Sequence, residues 1–240
     1  MPVKQLAIFV EGKTELLFIE RLLIEIAGRK NIEIQCKILQ GQGRCPEIER
    51  FTDNESKYKI LLYNSCTDNR VLSDMKDNYT KLINDKGYSK ILGVRDLYPT
   101  PFERKNRVIQ SIQRILDNEN LDKIKMIIAV MEAETWFIGE LSHYPNIDSE
   151  LTLKHIKENL IDLENINDIE EDISHPADTL DKIYRLKGKA WMDNKKKKTE
   201  SRMQRTINSL DYENLYIETR NNIPSLNQLI TELDDFFSEV

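Results

Sequence analysis

Carboxylates stand at the ends of three separate apolar runs in this chain. Glu11 directly follows LAIFV (6–10), with Gly12 beside it and Glu15 one helical turn later. Asp96 closes KILGVRD (90–96), and Glu132 and Glu134 lie at or just beyond the end of KMIIAVM (125–131). If each run is a buried strand of one parallel sheet, the turns that follow open on the same edge, where open α/β sheets bind their ligands. Carboxylates gathered there suit a magnesium or manganese ion, because magnesium takes one or two carboxylates and fills its shell with waters and phosphate oxygens. Gly12 would let the backbone turn tightly beside the ion. A plainer reading stands beside this one. Glu11 and Glu15, and likewise Glu132 and Glu134, could be first-turn acids that a helix dipole favours by about 0.3–1 kcal/mol each. The coincidence of all of them at strand ends weighs against that reading, and spacing alone leaves both open.

The elements that would position these acids are legible as alternating apolar patterns. Short apolar runs at 6–10, 32–39, 59–65, 90–96 and 125–131 read as strands. Between them, Leu16, Leu17, Ile19, Leu22, Leu23 and Ile26 recur at helical spacing up to a stop at Gly28. A second helix carries Val71, Leu72, Met75 and Leu82, a third covers 107–116, and a fourth begins near Glu134. The segment GQGRCPEIER (41–50) punctuates the chain and leads into a short helix on this reading. Strands alternating with helices predict an α/β fold with a mostly parallel sheet flanked by helices. Past residue 145 an acidic stretch, DLENINDIEED, gives way to a basic one, and helices carrying Leu226, Leu229, Ile230, Leu233 and Phe236 finish the chain. The expected organisation is therefore an α/β domain over 1–145 and a helical C-terminal region over 146–240 packed on it.

Composition narrows the function. With 240 residues, 40% hydrophobic and 32% charged, the chain can build a normal core under a charged surface. No run approaches the roughly 20 apolar residues of a membrane span, and the start lacks the pattern of a signal peptide. Three cysteines, Cys36, Cys45 and Cys66, form no CxxC pair, which points to a reducing, cytoplasmic setting. A net charge of −6 argues against a protein that coats nucleic acid, but not against a nuclease with an acidic metal site and a local basic patch. The basic residues Lys187, Lys189, Lys195, Lys196, Lys197, Lys198 and Arg202 offer such a patch, with Tyr184 and Trp191 interleaved to stack on bases. The alternative is a solvated loop. Lys13, beside Glu11, suits contact with a scissile phosphate or pairing with an acid.

Several motifs fail on inspection. GKT at 12–14 lacks the glycine that a P-loop needs five residues earlier, where Ala7 stands. Gly41 and Gly43 are followed by Pro46 and open no dinucleotide-binding helix. His143, His155 and His175 are scattered, so zinc is not indicated. Ser65-Cys66 after a strand is read as a packed strand end in preference to a nucleophile.

VEGKTE (10–15) resembles the opening signature of TOPRIM domains, RDLYP (95–99) resembles the D-x-Y-x-x-P form of one TOPRIM-like family, and MEAETWF (131–137) resembles that family's H-E-F-E segment, with Met131 in place of the histidine. The chain is most similar to small stand-alone bacterial TOPRIM proteins related to OLD-family and RloB-type nucleases, over roughly residues 5 to 140. The resemblance implies Glu11 as general base or metal ligand, Glu15 as a second acid, Asp96 as a metal ligand, and Glu132 and Glu134 as residues that complete the site. Tyr98 stands where the usual D-x-D would have its second acid. The implied activity is magnesium- or manganese-dependent hydrolysis of phosphodiesters in DNA or RNA by a phage-defence effector working with an ATPase partner. Tyr98 favours an alternative, a non-catalytic TOPRIM-like subunit that binds nucleic acid or the ATPase. A small-phosphoester hydrolase is a third reading, and a homo-oligomer stays open.

Overall fold

The computed structural model describes residues 3–38, 47–50, 56–67 and 70–238. Gly41, Gly43 and Cys45 lie outside the described residues. The chain forms two compact units, one comprising Met1–Asp96, Glu103–Ile128 and Glu232–Val240, the other Leu97–Phe102 and Ala129–Thr231. The division thus falls at 128/129 instead of 145/146, and the end of the last helix belongs to the first unit.

The fold is α/β. Its strands are β1 (Lys4–Val10), β2 (Ile32–Ile38), β3 (Glu47–Arg50), β4 (Tyr58–Asn64), β5 (Lys90–Asp96) and β6 (Ile124–Ala129), in the order β3-β2-β4-β1-β5-β6. β1 pairs in parallel with β4 and β5, and β2 in parallel with β4. Ile91 N donates to Lys123 O and Leu97 N to Ala129 O, a constant offset that makes β6 parallel to β5 as well. β3 is the exception: Glu47–Arg50 pairs antiparallel with β2. The short helix expected after GQGRCPEIER (41–50) lies outside the described residues, and the end of that segment is a short edge strand, held by the backbone donors and acceptors that β2 presents on that side.

The central strand explains its own position. Leu6 to Val10 are fully buried, as a strand covered on both faces must be. Its crossovers cover the two faces. α1 (Lys13–Ala27) buries Leu16, Leu17, Phe18, Ile19, Leu22 and Leu23, each worth about 1.5–3 kcal/mol relative to exposure. It ends at Gly28, whose φ of 77° a side chain would strain. α2 (Val71–Tyr79) buries Val71 and Met75 and continues into a π-helical turn over Thr80–Asp85. α3 (Lys105–Asn118) leads to β6.

From β1 the chain crosses through α1 toward β2, and from β4 it crosses through α2 the other way, toward β5. Right-handed crossovers in opposite directions place α1 and α2 on opposite faces. The crossover from β5 to β6 runs the same way as that from β4, so the connections of neighbouring strands β1 and β5 part in opposite directions and their carboxyl ends form the switch point, the place where open α/β folds bind ligands. The amino edge is closed by the end of α11 (Pro224–Ser238). There Lys4 Nζ donates to Phe236 O at 2.6 Å, Tyr58 OH donates to Phe237 O at 3.0 Å, and Lys90 pairs with Glu232. Lys4, Tyr58 and Lys90 each stand at the start of a strand; Lys4 and Tyr58 reach carbonyls in the last turn of α11, where the negative end of the helix dipole favours the Lys4 ammonium.

The second unit is helical: α4 (Glu134–Gly139), α5 (Tyr144–Ile147), α6 (Leu153–Asn159), α7 (Ile169–Asp172), α8 (Pro176–Arg185), α9 (Glu200–Ser209), α10 (Tyr212–Ile217) and the first turns of α11. Trp136, Phe137, Tyr144, Tyr184 and Trp191 are fully buried there. No helix among the described residues is long and apolar enough to cross a membrane.

Candidate functional site

Glu11 leaves the end of β1 and Asp96 ends the adjacent β5. Glu11 Oε2 accepts the Asp96 backbone N–H at 3.0 Å. Both residues are partly exposed, so the two carboxylates lie within reach of solvent. Glu15 sits in the first turn of α1, buried to 4% exposure, close over Gly12. A Cβ at Gly12 would lie 3.0 Å from Glu15 Oε2. Gly12 itself is extended, with φ −146° and ψ −171°. Its value here is the space it leaves for Glu15, in place of the conformational freedom expected from sequence. Lys13 opens α1, where a helix N-terminus favours anions.

Glu132 and Glu134 belong to the second unit and are engaged locally. They follow Met131, whose φ of 59° turns the chain sharply after β6. Glu132 Oε2 accepts the Ala177 N–H at 2.8 Å, capping the N-terminus of α8, where Pro176 has no N–H to offer. Burial raises the Glu132 carboxyl above the ordinary carboxylate range, and the neighbouring Glu134 adds to the shift, against the Ala177 N–H and Lys198. Glu134 is fully buried, pairs with Lys198 and accepts Trp191 Nε1–H at 3.2 Å. Tyr98 is exposed, with its ring 6.1 Å from that of His175 at an interplanar angle of 73°.

The basic stretch is more ordered than a solvated lysine run. Asp193 Oδ1 accepts the backbone N–H groups of Lys195 and Lys197, both at 2.8 Å, and these bonds hold the Asp193 carboxyl below its usual range. Lys187 pairs with Glu150 at 2.9 Å, Lys189 with Asp148 at 3.7 Å, Lys196 with Asp178 at 3.0 Å, and Lys198 with Glu134. Arg202 Nη1 is buried without a hydrogen-bond partner. Trp191 and Tyr184 are fully buried, so neither ring is presented to a base. Tyr184 OH instead shares a 2.9 Å hydrogen bond with His143 Nε2, and burial holds that histidine's pKa below the ordinary value.

The strand end after β4 also differs from expectation, because Cys66 is exposed and not packed. The residue before it, Ser65, is the one that is fully buried, beside β1. No motif marks Ser65; its place follows from the strand order alone.

Among the described residues, no three of His, Cys, Asp or Glu form a group that could hold a metal by themselves. Glu11 and Asp96 fit a divalent cation that keeps most of its waters, since two carboxylates are enough for magnesium. Glu134 does not fit, because the Lys198 ammonium already balances its charge. Comparison with known protein families, curated proteins and solved structures gives no match.

Proposed function

We propose that this chain is a magnesium- or manganese-dependent phosphodiesterase acting on DNA or RNA, with its cation held by Glu11 and Asp96. The observation that supports this most is the pairing of Glu11 Oε2 with the Asp96 N–H at the carboxyl edge of adjacent parallel strands. Bound there, the cation would polarise a phosphate and lower the pKa of a water. Glu11 and Asp96 hold their charge toward that edge, Glu15 is the nearby acid suited to accept a proton, and Lys13 with the α1 N-terminus attracts the phosphate. The resemblance to TOPRIM proteins supports the nucleic-acid substrate, a cytoplasmic location and work beside an ATPase partner in phage defence; it is an argument from analogy.

A second reading, the non-catalytic subunit, gains from Tyr98 and from Glu132 and Glu134 being occupied by α8 and Lys198. Manganese titration by calorimetry, with cleavage assays on DNA and RNA, separates the two. Glu11→Gln keeps an acceptor for the Asp96 N–H while removing the charge. It should abolish cation binding and cleavage together without changing the melting temperature, and so should Asp96→Asn. Wild-type protein that binds no cation in the presence of oligonucleotide would refute the enzyme and leave the binding subunit.

A further inference from the structure

Among the described residues of the first unit, two buried side-chain oxygens lack a hydrogen-bond partner, Ser65 Oγ and Asp74 Oδ2. Asp74 meets Arg70 through its other oxygen at 3.2 Å. Ser65 is fully buried. Unpaired buried hydroxyls are uncommon in folded proteins and call for a reason.

Its position supplies one. Ser65 N–H donates to Val10 O at 2.9 Å, carrying the β1–β4 ladder one residue past the end of the strands. Phe9 pairs with Tyr63 and Val10 with Asn64, so the next step of the register sets Ser65 opposite Glu11. Phe9 and Tyr63 share a face, with ring centroids 4.8 Å apart. Strand alternation puts Ser65, two residues on, on that same face. α2 covers it: Gly93 pairs with Phe9, and a Cβ there would run into Met75 of α2. Ser65 therefore sits under cover, at the carboxyl end of β4 beside β1, next to the carboxylate that the proposed function places on the cation.

We propose that Ser65 belongs to this site, its hydroxyl hydrogen-bonding a water held by the divalent cation at Glu11 and Asp96. The inference rests on the cation-binding reading above and adds a contact from a third strand. A hydroxyl supplies a donor and an acceptor without further negative charge, which suits an ion that retains several waters. Partners of this outer kind orient the bound water and tune its affinity.

The test is manganese titration by calorimetry on the full chain, comparing wild type, Ser65→Ala and Glu11→Gln, with melting curves recorded in chelator. In Ser65→Ala the unpaired hydroxyl is gone, so the metal-free melting temperature should hold or rise while the manganese Kd weakens about three- to tenfold. A hydroxyl that serves only the fold would give the converse, a lower metal-free melting temperature with Kd unchanged, and that result overturns the assignment. Glu11→Gln separates the two levels of the argument. If it loses manganese while Ser65→Ala keeps the wild-type Kd, the Ser65 role alone falls. If Glu11→Gln binds manganese as wild type does, the cation site is wrong and the Ser65 assignment falls with it.

Discussion

Replacing Lys198 by Met withdraws the ammonium from a carboxylate that has no solvent exposure. In the wild type, Glu134 Oε1 meets Lys198 and the Trp191 indole N–H, while Oε2 has no hydrogen-bond partner. Removing one member of a buried ion pair costs about 3–5 kcal/mol, since the remaining charge is left uncompensated. The Lys198 side chain is 27% exposed, so water already screens the pair in part. The low end, about 3 kcal/mol, is therefore the expected loss for Lys198→Met. The reverse substitution should be milder. Glu134→Gln keeps an oxygen for Trp191, and the freed Lys198 can turn its head to solvent, so about 1 kcal/mol is expected. The double variant removes both charges and should cost little more than Glu134→Gln alone, a coupling of about 3 kcal/mol. Urea unfolding followed by tryptophan fluorescence suits the measurement, because Trp136 and Trp191 both lie in the second unit. Glu134→Gln proving more costly than Lys198→Met, or the two costs simply adding, would refute the reasoning. Manganese affinity is an independent check. If Lys198 were standing in for a metal at Glu134, Lys198→Met would tighten manganese binding; the engagement described here predicts no change.

Two further outcomes follow from the geometry. The Glu132 carboxyl is raised above its ordinary 4.5, chiefly by burial and then by Glu134. The folded chain thus keeps a proton that the unfolded chain has released, so this group's stabilisation is complete below pH 4.5 and is lost as pH rises through the raised value. Glu132→Gln retains an acceptor for Ala177 N–H, and urea midpoints measured upward from about pH 4.5 should decline less steeply than in wild type; parallel curves would contradict the assignment. Gly93→Ala would place a Cβ against Met75 and 2.8 Å from Met126 Sδ, and thermal melts should show about 1–3 kcal/mol of destabilisation from overpacking. A neutral result would mean that the thioether ends of Met75 and Met126 swing aside without cost.

The apolar runs were enough to read the parallel strands, because a strand buried on both faces has no polar positions to confuse the pattern. Leu6 to Val10 is such a case. Glu47–Arg50 shows no strand pattern in sequence, because an edge strand takes its conformation from the partner it pairs with, here β2, and carries little apolar signal of its own. The boundary placed at 145 followed a change in charge, which is a surface property. The division at 128/129 follows packing, with Trp136 and Phe137 already inside the second core. The lysine run looked like open loop because composition does not reveal that one carboxylate, Asp193, gathers its backbone. Ser65 was invisible as a partner of Glu11 because their adjacency comes from the strand order, which no local pattern encodes.

The acids that looked alike in sequence are separated by what binds them. A carboxylate that accepts a backbone N–H, as Glu11 does from Asp96, gains orientation from a neutral donor. One that meets an ammonium, as Glu134 does, has its charge cancelled within the protein. One that caps a helix in a buried place, as Glu132 does, is pushed toward its neutral form when burial and a second acid outweigh the cap. Of the three arrangements, the first is the one on which the proposed cation site rests. That makes Tyr98 less of an obstacle than the missing D-x-D acid suggests. On the proposed reading, a magnesium ion that keeps its waters would need only the carboxylates that follow β1 and end β5, and the buried Ser65 hydroxyl would add orientation without the repulsion that a third carboxylate would bring.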